Sequence, residues 1–153
     1  MDKKKYLVIF SIIIVTILAV VVLSVSNLYT VPEEQDNNIE LEGIVNHVVD
    51  GDTLDINKVR VRLALVDTPE REQYGYEEAK EFVKNLCLNK KGKVDIDDGQ
   101  RRGDSYGREI GVVYCDGINI NKALVENNLA KIYIRYCDVS EFANEEWAIK
   151  YCS

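Results

Sequence analysis

The stretch from Leu41 to Val66, LEGIVNHVVDGDTLDINKVRVRLALV, constrains the fold more than any other part of the chain. Its last part alternates with a period of two, which is typical of a β-strand. The alternating positions are Val59, Val61, Leu63 and Leu65 against Arg60, Arg62, Ala64 and Val66. Two turn pairs, Asp50-Gly51 and Asn57-Lys58, interrupt the stretch. The sequence therefore predicts three short antiparallel strands.

Downstream of Val66, the spacing of the apolar residues changes from the period of a strand to that of a helix, and then returns to that of a strand. Between Gly75 and Leu88 the apolar residues fall on one helical face, which predicts a helix. That face comprises Tyr76, Ala79, Val83 and Leu86. KVDID and REIGVVYC predict two more strands around a polar loop. NINKALVENN predicts a short helix capped by Asn119 or Asn121.

A third helix is predicted over SEFANEEWAIKY, begun by Ser140, with Ala143, Trp147 and Tyr151 on one stripe. Five strands with one helix between the third and fourth suit a small barrel of the OB type. The predicted fold class is therefore α+β, mainly β: a five-stranded OB-type Greek-key barrel with three helices, preceded by a transmembrane helix.

The transmembrane prediction rests on residues 6–25, which carry no charge. Twenty helical residues span about 30 Å, the thickness of a bilayer core. Residues 1–5 carry three lysines and are expected to stay in the cytoplasm, so that the rest of the chain is exported. A cleaved signal peptide, which would give a secreted protein, is the alternative. Residues 26–40 form a polar linker, and residues 41–153 form the domain.

Four cysteines lie in this exported domain, where disulfides persist. Four cysteines allow three pairings, and buried free thiols are the alternative. Cys87 ends the first predicted helix and Cys115 ends a strand, whereas Cys137 and Cys152 bracket the last helix. We predict the pairs Cys87–Cys115 and Cys137–Cys152.

Two acidic clusters, VVDGDT and VDTPE, each follow apolar residues directly. Asp52 and Asp67 supply the carboxylate oxygens that a hard cation such as calcium prefers. Arg62 and Arg108 supply guanidinium forks that match phosphate oxygens. Taken singly, each feature also fits a plain structural role: an Asp-Gly turn, a helix start or a solvated charge. Both carboxylates are placed at turns, so their removal is expected to leave the fold intact.

In this order the motifs VVDGDT, VRLALVDTPE, YGR and LAK resemble the staphylococcal nuclease-like, or thermonuclease, family. The resemblance implies the OB-type barrel and a calcium-dependent nuclease. It implies that Asp52, Asp67 and the backbone carbonyl of Thr68 bind calcium. It also implies that Glu70 is the general base and that Arg62 and Arg108 hold the scissile phosphate. Loop positions near the nucleotide are matched by Asp104 and Tyr106.

The formal net charge of −7 is unusual for a nucleic-acid binder, which generally carries a basic surface. Arginines and a divalent ion at the site would offset it locally. The expected function is calcium-dependent hydrolysis of DNA and RNA with low sequence specificity, leaving 3′-phosphates. The alternative is a catalytically weak nucleic-acid-binding module tethered to the membrane. No protein partner can be inferred, and we expect a monomer.

Overall fold

The computed structural model describes residues 13–14 and 38–153. The chain divides into two units, residues 1–35 and 36–153. Of the first unit, only the helical residues Ile13 and Ile14 are described. The predicted basic head, the anchor apart from Ile13 and Ile14, and most of the linker therefore lie outside the described residues. Among the described residues, no helix has both the length and the hydropathy needed to cross a bilayer.

The second unit is built from eight strands and three α-helices within residues 38–153. The strands are β1 (Ile39–Val48), β2 (Thr53–Ile56), β3 (Val59–Leu63), β4 (Val66–Asp67), β5 (Lys91–Ile96), β6 (Glu109–Cys115), β7 (Ile118–Asn119) and β8 (Lys131–Ile132). The helices are α1 (Tyr76–Cys87), α2 (Ile120–Glu126) and α3 (Ile149–Cys152). Short 3₁₀ turns cover Asp98–Gln100, Ile134–Tyr136 and Glu141–Asn144.

Five of the strands close into a barrel. The order is β3-β2-β1-β5-β6, all antiparallel, and a parallel pairing of β3 with β6 joins the two edges. In that pairing Val61 lies opposite Glu109 and Leu63 lies opposite Gly111. Closure leaves no exposed edge on these strands and buries one apolar core. The predicted five-stranded OB-type barrel with three helices is confirmed.

The predicted turns are also found. Asn57 and Lys58 both have positive φ, 47° and 72°, as a tight two-residue hairpin between β2 and β3 requires. The predicted alternation through Leu65, however, stops at Leu63. Residues 63–66 are all buried, and Leu65 turns the chain at φ 57°. The chain leaves the barrel here, and β4 pairs with β8. Both faces of residues 63–66 are therefore covered.

Helix α1 begins after Gly75, whose φ of 92° suits a residue without Cβ. The buried stripe is Tyr76, Ala79, Val83 and Cys87. The predicted stripe ended on Leu86 instead, which is half-buried beside Cys87.

The prediction of one continuous last helix is wrong. Ser140 does cap the segment, accepting from the amide of Phe142 at 3.3 Å, but only a 3₁₀ turn follows. Glu145 is extended, at φ −63° and ψ 146°, and the α-helix starts only at Ile149. Phe142 and Trp147 are both buried, and a continuous helix would point them about 140° apart. The break at Glu145 lets both pack on the core, whereas Tyr151 is exposed.

Both predicted disulfides are present, each with a Cα–Cα distance of 5.3 Å. Cys87–Cys115 joins the end of α1 to the end of β6, with both residues fully buried. Cys137–Cys152 closes the last segment across 15 residues. A loop of that length is worth about 3 kcal/mol in the chain-entropy account of cross-links. This cross-link constrains a segment that has only one turn of α-helix of its own.

Candidate active site

The functional side chains gather at one end of the barrel, where β1 turns into β2, β3 ends and β6 begins. The strand registers bring these points together. Thr53 pairs with Arg62 across the β2–β3 hairpin, and Arg62 pairs with Ile110 across the closing β3–β6 seam. As a result, Asp52, Arg62 and Arg108 become neighbours although they lie far apart in the sequence.

Asp52 is the buried centre of this group, with 6% of its surface exposed. Its Oδ2 accepts from the amide and the hydroxyl of Thr68, at 2.9 and 2.8 Å. Its Oδ1 accepts from the hydroxyl of Thr53 at 3.2 Å and lies 2.9 Å from Nη1 of Arg62. A buried carboxylate with these partners is part of the structural core of the site. The premise that Asp52 lies at a turn outside the core is therefore wrong, and we now expect its removal to lower the stability of the fold.

The guanidinium of Arg62 is held by several acceptors at once. Its Nη1 donates to the carbonyl of Val66 at 2.7 Å as well as contacting Asp52, and its Nη2 lies 3.5 Å from Oδ1 of Asp67. The side chain is only 15% exposed. Because its contacts point in different directions, the fork is fixed in place before any ligand arrives.

Asp67, at the end of β4, and Thr68, directly after it, complete the group. The side chain of Asp67 is 49% exposed, so it can be replaced at far smaller structural cost than Asp52. Thr68 is buried, at 5% exposure, because both its amide and its hydroxyl are bonded to Asp52. Lys131 pairs with Asp67 in the β4–β8 ladder.

The oxygen donors at this site are few. Among residues 38–153 no three or more carboxylate, histidine or cysteine side chains gather into a metal cluster. Asp52 and Asp67 do, however, flank one positive group, the guanidinium of Arg62. Two carboxylates and a backbone carbonyl are the hard oxygen donors that calcium takes, with waters completing a shell of six to eight. The donor types therefore suit calcium, although in this structure both carboxylates pair with Arg62.

Asp50 stabilises the turn that presents Asp52. Its Oδ1 accepts from the amide of Asp52 at 3.2 Å. Burial, and after it the neighbouring Asp52 carboxylate, raise the pKa of Asp50. Sequence reasoning counted Asp50 among the acidic groups, and the structure assigns it to the turn that presents Asp52.

Arg108 is positioned by its own loop. Its Nε donates to Oδ2 of Asp104 at 2.6 Å, while Oδ1 of Asp104 accepts from the amides of Tyr106 and Arg108 at 2.9 and 3.1 Å. Burial alone would raise the pKa of Asp104, but these hydrogen bonds outweigh it and the pKa is lowered. The guanidinium also lies 5.3 Å from the ring centroid of the exposed Tyr106. Asp104 is thus a positioning residue for Arg108.

Glu70 is exposed and stands apart from the cluster. Its amide donates to Oε1 of Gln73 and its carbonyl accepts from the amide of Gln73, both at 2.9 Å. Its carboxylate forms no ion pair with any described residue. The structure therefore joins Asp52, Arg62, Asp67 and Thr68 in one network that does not include the Glu70 carboxylate.

Sequence reasoning missed two buried residues. The hydroxyl of Thr53 donates to Asp52 and lies 3.4 Å from Nη1 of Arg108, so it links the two arginine halves of the site. Asn121 was predicted only as a possible helix cap, a role that Asn119 fills by accepting from the amide of Lys122. Instead, Asn121 donates to the carbonyls of Ala64 and Gly111 and accepts from the amide of Val113. Asn121 therefore links the residue after β3 to β6, where these two strands close the barrel.

The chain is similar in sequence to a nuclease family and to proteins named as endonucleases. The sequence model described as staphylococcal nuclease homologue matches residues 60–148. An uncharacterized endonuclease of Escherichia coli O157:H7 is 35% identical over 102 residues, which is 63% of this chain and 64% of that protein. Endonuclease YncB of Bacillus subtilis (strain 168) is 35% identical over 103 residues, 60% of this chain and 48% of its own.

An uncharacterized protein of Bacillus anthracis is 37% identical over 97 residues, 57% of this chain and 45% of its own. The chain thus spans about half to two thirds of the length of these relatives. The family match begins at residue 60 and so does not include Asp52. The assignment of Asp52 to the site is based instead on its contacts with Arg62 and Thr68. A match over more than half of the chain, on a barrel that carries this site, places the protein in the staphylococcal nuclease family.

Proposed function

We propose that the protein is a calcium-dependent nuclease that hydrolyses phosphodiester bonds in DNA and RNA with low sequence specificity. The observation that carries the proposal is the position of Arg62. Its guanidinium lies between Asp52 and Asp67, and Thr53 connects this group to Arg108. Two fixed guanidinium groups beside a cation-binding pair of carboxylates suit a substrate that carries phosphate.

The arginines bind and orient the scissile phosphate. Extra negative charge develops on the phosphate oxygens in the transition state, and donors that are fixed beforehand stabilise it without reorganising. Arg62 is fixed by Asp52 and Val66, and Arg108 is fixed by Asp104. Tyr106 lies beside Arg108, where it can contact the nucleotide.

Asp52, Asp67 and the carbonyl of Thr68 would hold the calcium ion, which when bound supplies a Lewis acid for the phosphate. Glu70 orients a water molecule and takes its proton as the water oxygen bonds to phosphorus. The bond from phosphorus to the 5′ oxygen breaks and that oxygen takes a proton from solvent, which leaves a 3′-phosphate and a 5′-hydroxyl. Glu70 lies two residues after Thr68, and its exposed carboxylate forms no ion pair with any described residue, which supports this role. Its backbone bonds to Gln73 hold the loop that carries it.

Incubation of the purified protein with single-stranded DNA, with calcium or with a chelator of calcium, tests the proposal. We expect cleavage with calcium, loss of cleavage on chelation, and products that end in 3′-phosphate. DNA binding without cleavage under both conditions would contradict the proposal and support a binding-only module.

The proposed location of the enzyme is the outer side of a membrane, with residues 6–25 as the anchor. The support is a charge-free run of 20 residues after three lysines, together with two disulfides in the folded unit. Carbonate extraction of isolated membranes should leave the full-length protein in the pellet. A soluble product that begins near Asn27 would instead show that the segment is a cleaved signal.

A further inference from the structure

A second cavity lies beside Glu70 and outside the calcium and arginine cluster. It has a volume of about 440 Å³ and is lined by Arg71, Glu72, Gln73, Tyr76, Glu77 and Lys80. Its walls are the loop that follows Glu70 and the first two turns of α1. A cavity of this size falls within the usual range for small-molecule sites, about 300–1,000 Å³. The mechanism proposed above uses none of its lining residues.

This cavity is rigidly coupled to the proposed general base. Gln73, one of its lining residues, exchanges two hydrogen bonds with the backbone of Glu70. Tyr76, another, is 9% exposed and packs at the start of α1. A polynucleotide whose scissile phosphate is held by Arg62 and Arg108 must leave the site past some part of this rim. The cavity is lined by the residues that directly follow Glu70 in the chain, so it is one such part.

Two cations line the cavity, and both lack carboxylate partners. Arg71 forms no ion pair with any described residue. The ammonium of Lys80 lies 5.7 Å from the ring centroid of Tyr76 and likewise forms no ion pair within residues 38–153. Many cations farther from the site are paired, as Arg60 is with Asp55 and Lys91 is with Glu42. In an acidic chain, an unpaired guanidinium and an unpaired ammonium in one cavity are available to an anion from outside.

Two carboxylates, Glu72 and Glu77, line the same cavity. These two carboxylates lower the positive potential of the cavity, so it is not suited to bind several phosphates of a polyanion at once. A single phosphate between Arg71 and Lys80 fits better, since guanidinium and ammonium groups both bind phosphate oxygens directly. The buried ring of Tyr76 beneath Lys80 gives the ammonium a defined position.

We propose that Arg71 and Lys80 form an auxiliary phosphate subsite, which binds a backbone phosphate of the same strand beyond the scissile one. The inference rests on the proposed nuclease function and specifies its substrate class. The enzyme acts on polynucleotides long enough to reach the subsite, and it binds these more tightly than a dinucleotide. Arg71 and Lys80 hold the substrate and take no part in bond cleavage.

The test compares the full-length protein with the double variant Arg71→Gln and Lys80→Gln. For the parent, KM should fall as an oligothymidylate substrate lengthens from two nucleotides to eight. In the double variant this length advantage should be lost, with kcat on the long substrate close to that of the parent. The slope of log KM against log salt should fall by about 0.7, because each phosphate contact to a single strand contributes about 0.7 and the subsite binds one phosphate.

Lys58→Gln is the matched control, since Lys58 is an exposed cation at the β2–β3 turn, the opposite end of that hairpin from the site. It removes one positive charge and should keep the parental length dependence. An unchanged salt slope and length dependence in the double variant, at parental melting temperature, would overturn the subsite. If the parent cuts no substrate of any length, the proposed nuclease function itself fails.

Discussion

Asp52→Ala should abolish cleavage and also lower the free energy of unfolding by about 3–5 kcal/mol, the usual effect of removing one partner of a buried ion pair. Asp52 is 6% exposed and accepts from Thr68, Thr53 and Arg62. Its removal leaves the amide and hydroxyl of Thr68 without acceptors and Arg62 without its shortest carboxylate contact. Urea denaturation and a single-stranded DNA cleavage assay measure the two effects separately.

Asp67→Ala is the matched comparison. Its side chain is 49% exposed and its ion pair with Arg62 is longer, at 3.5 Å, so it should lose calcium-dependent cleavage and keep parental stability. Parental stability in Asp52→Ala would show that the buried network has been misassigned. Parental cleavage rates with calcium in both variants would contradict the assignment of these carboxylates to the metal.

Arg62→Lys should lower kcat by roughly 10²–10³, the usual cost of one lost preorganised donor at a developing charge. The charge is conserved, so the effect isolates geometry. A guanidinium reaches Asp52, the Val66 carbonyl and Asp67 from a planar fork, and an ammonium is a single point donor. Steady-state kinetics on single-stranded DNA with saturating calcium measures the change.

Arg60→Lys is the control, two residues earlier on the same strand. Arg60 is half-exposed and pairs with Asp55, away from the site, so this variant should retain the parental kcat. Full activity in Arg62→Lys would contradict the role of the fork. Equal losses in both variants would point to a general effect on β3.

The strands and their turns could be predicted because their causes are local. A period of two places one face of β3 inward as far as Leu63, and Asn57-Lys58 adopts the positive φ angles of a tight hairpin. The disulfide pairs followed from element ends, because Cys87 closes α1 and Cys115 closes β6. These features need no knowledge of distant contacts.

The errors all depend on tertiary contacts. Asp52 looks like a turn residue in sequence, and its burial comes from Thr68, which lies across the site. Asn121 looks like a helix cap, yet the barrel seam uses its amide. The last helix breaks at Glu145 so that Phe142 and Trp147 can both reach the core. No local pattern records any of these contacts.

The parallel seam between β3 and β6 also determines when the site comes into being. Arg62 lies within one of these strands and Arg108 immediately precedes the other, so the two are adjacent only after the seam has formed. A pairing between segments so distant along the chain carries a large loop-closure entropy and belongs to the slow steps of folding. The two arginines therefore come together only when this long-range pairing forms. A chain in which the barrel has not closed therefore has no assembled arginine pair.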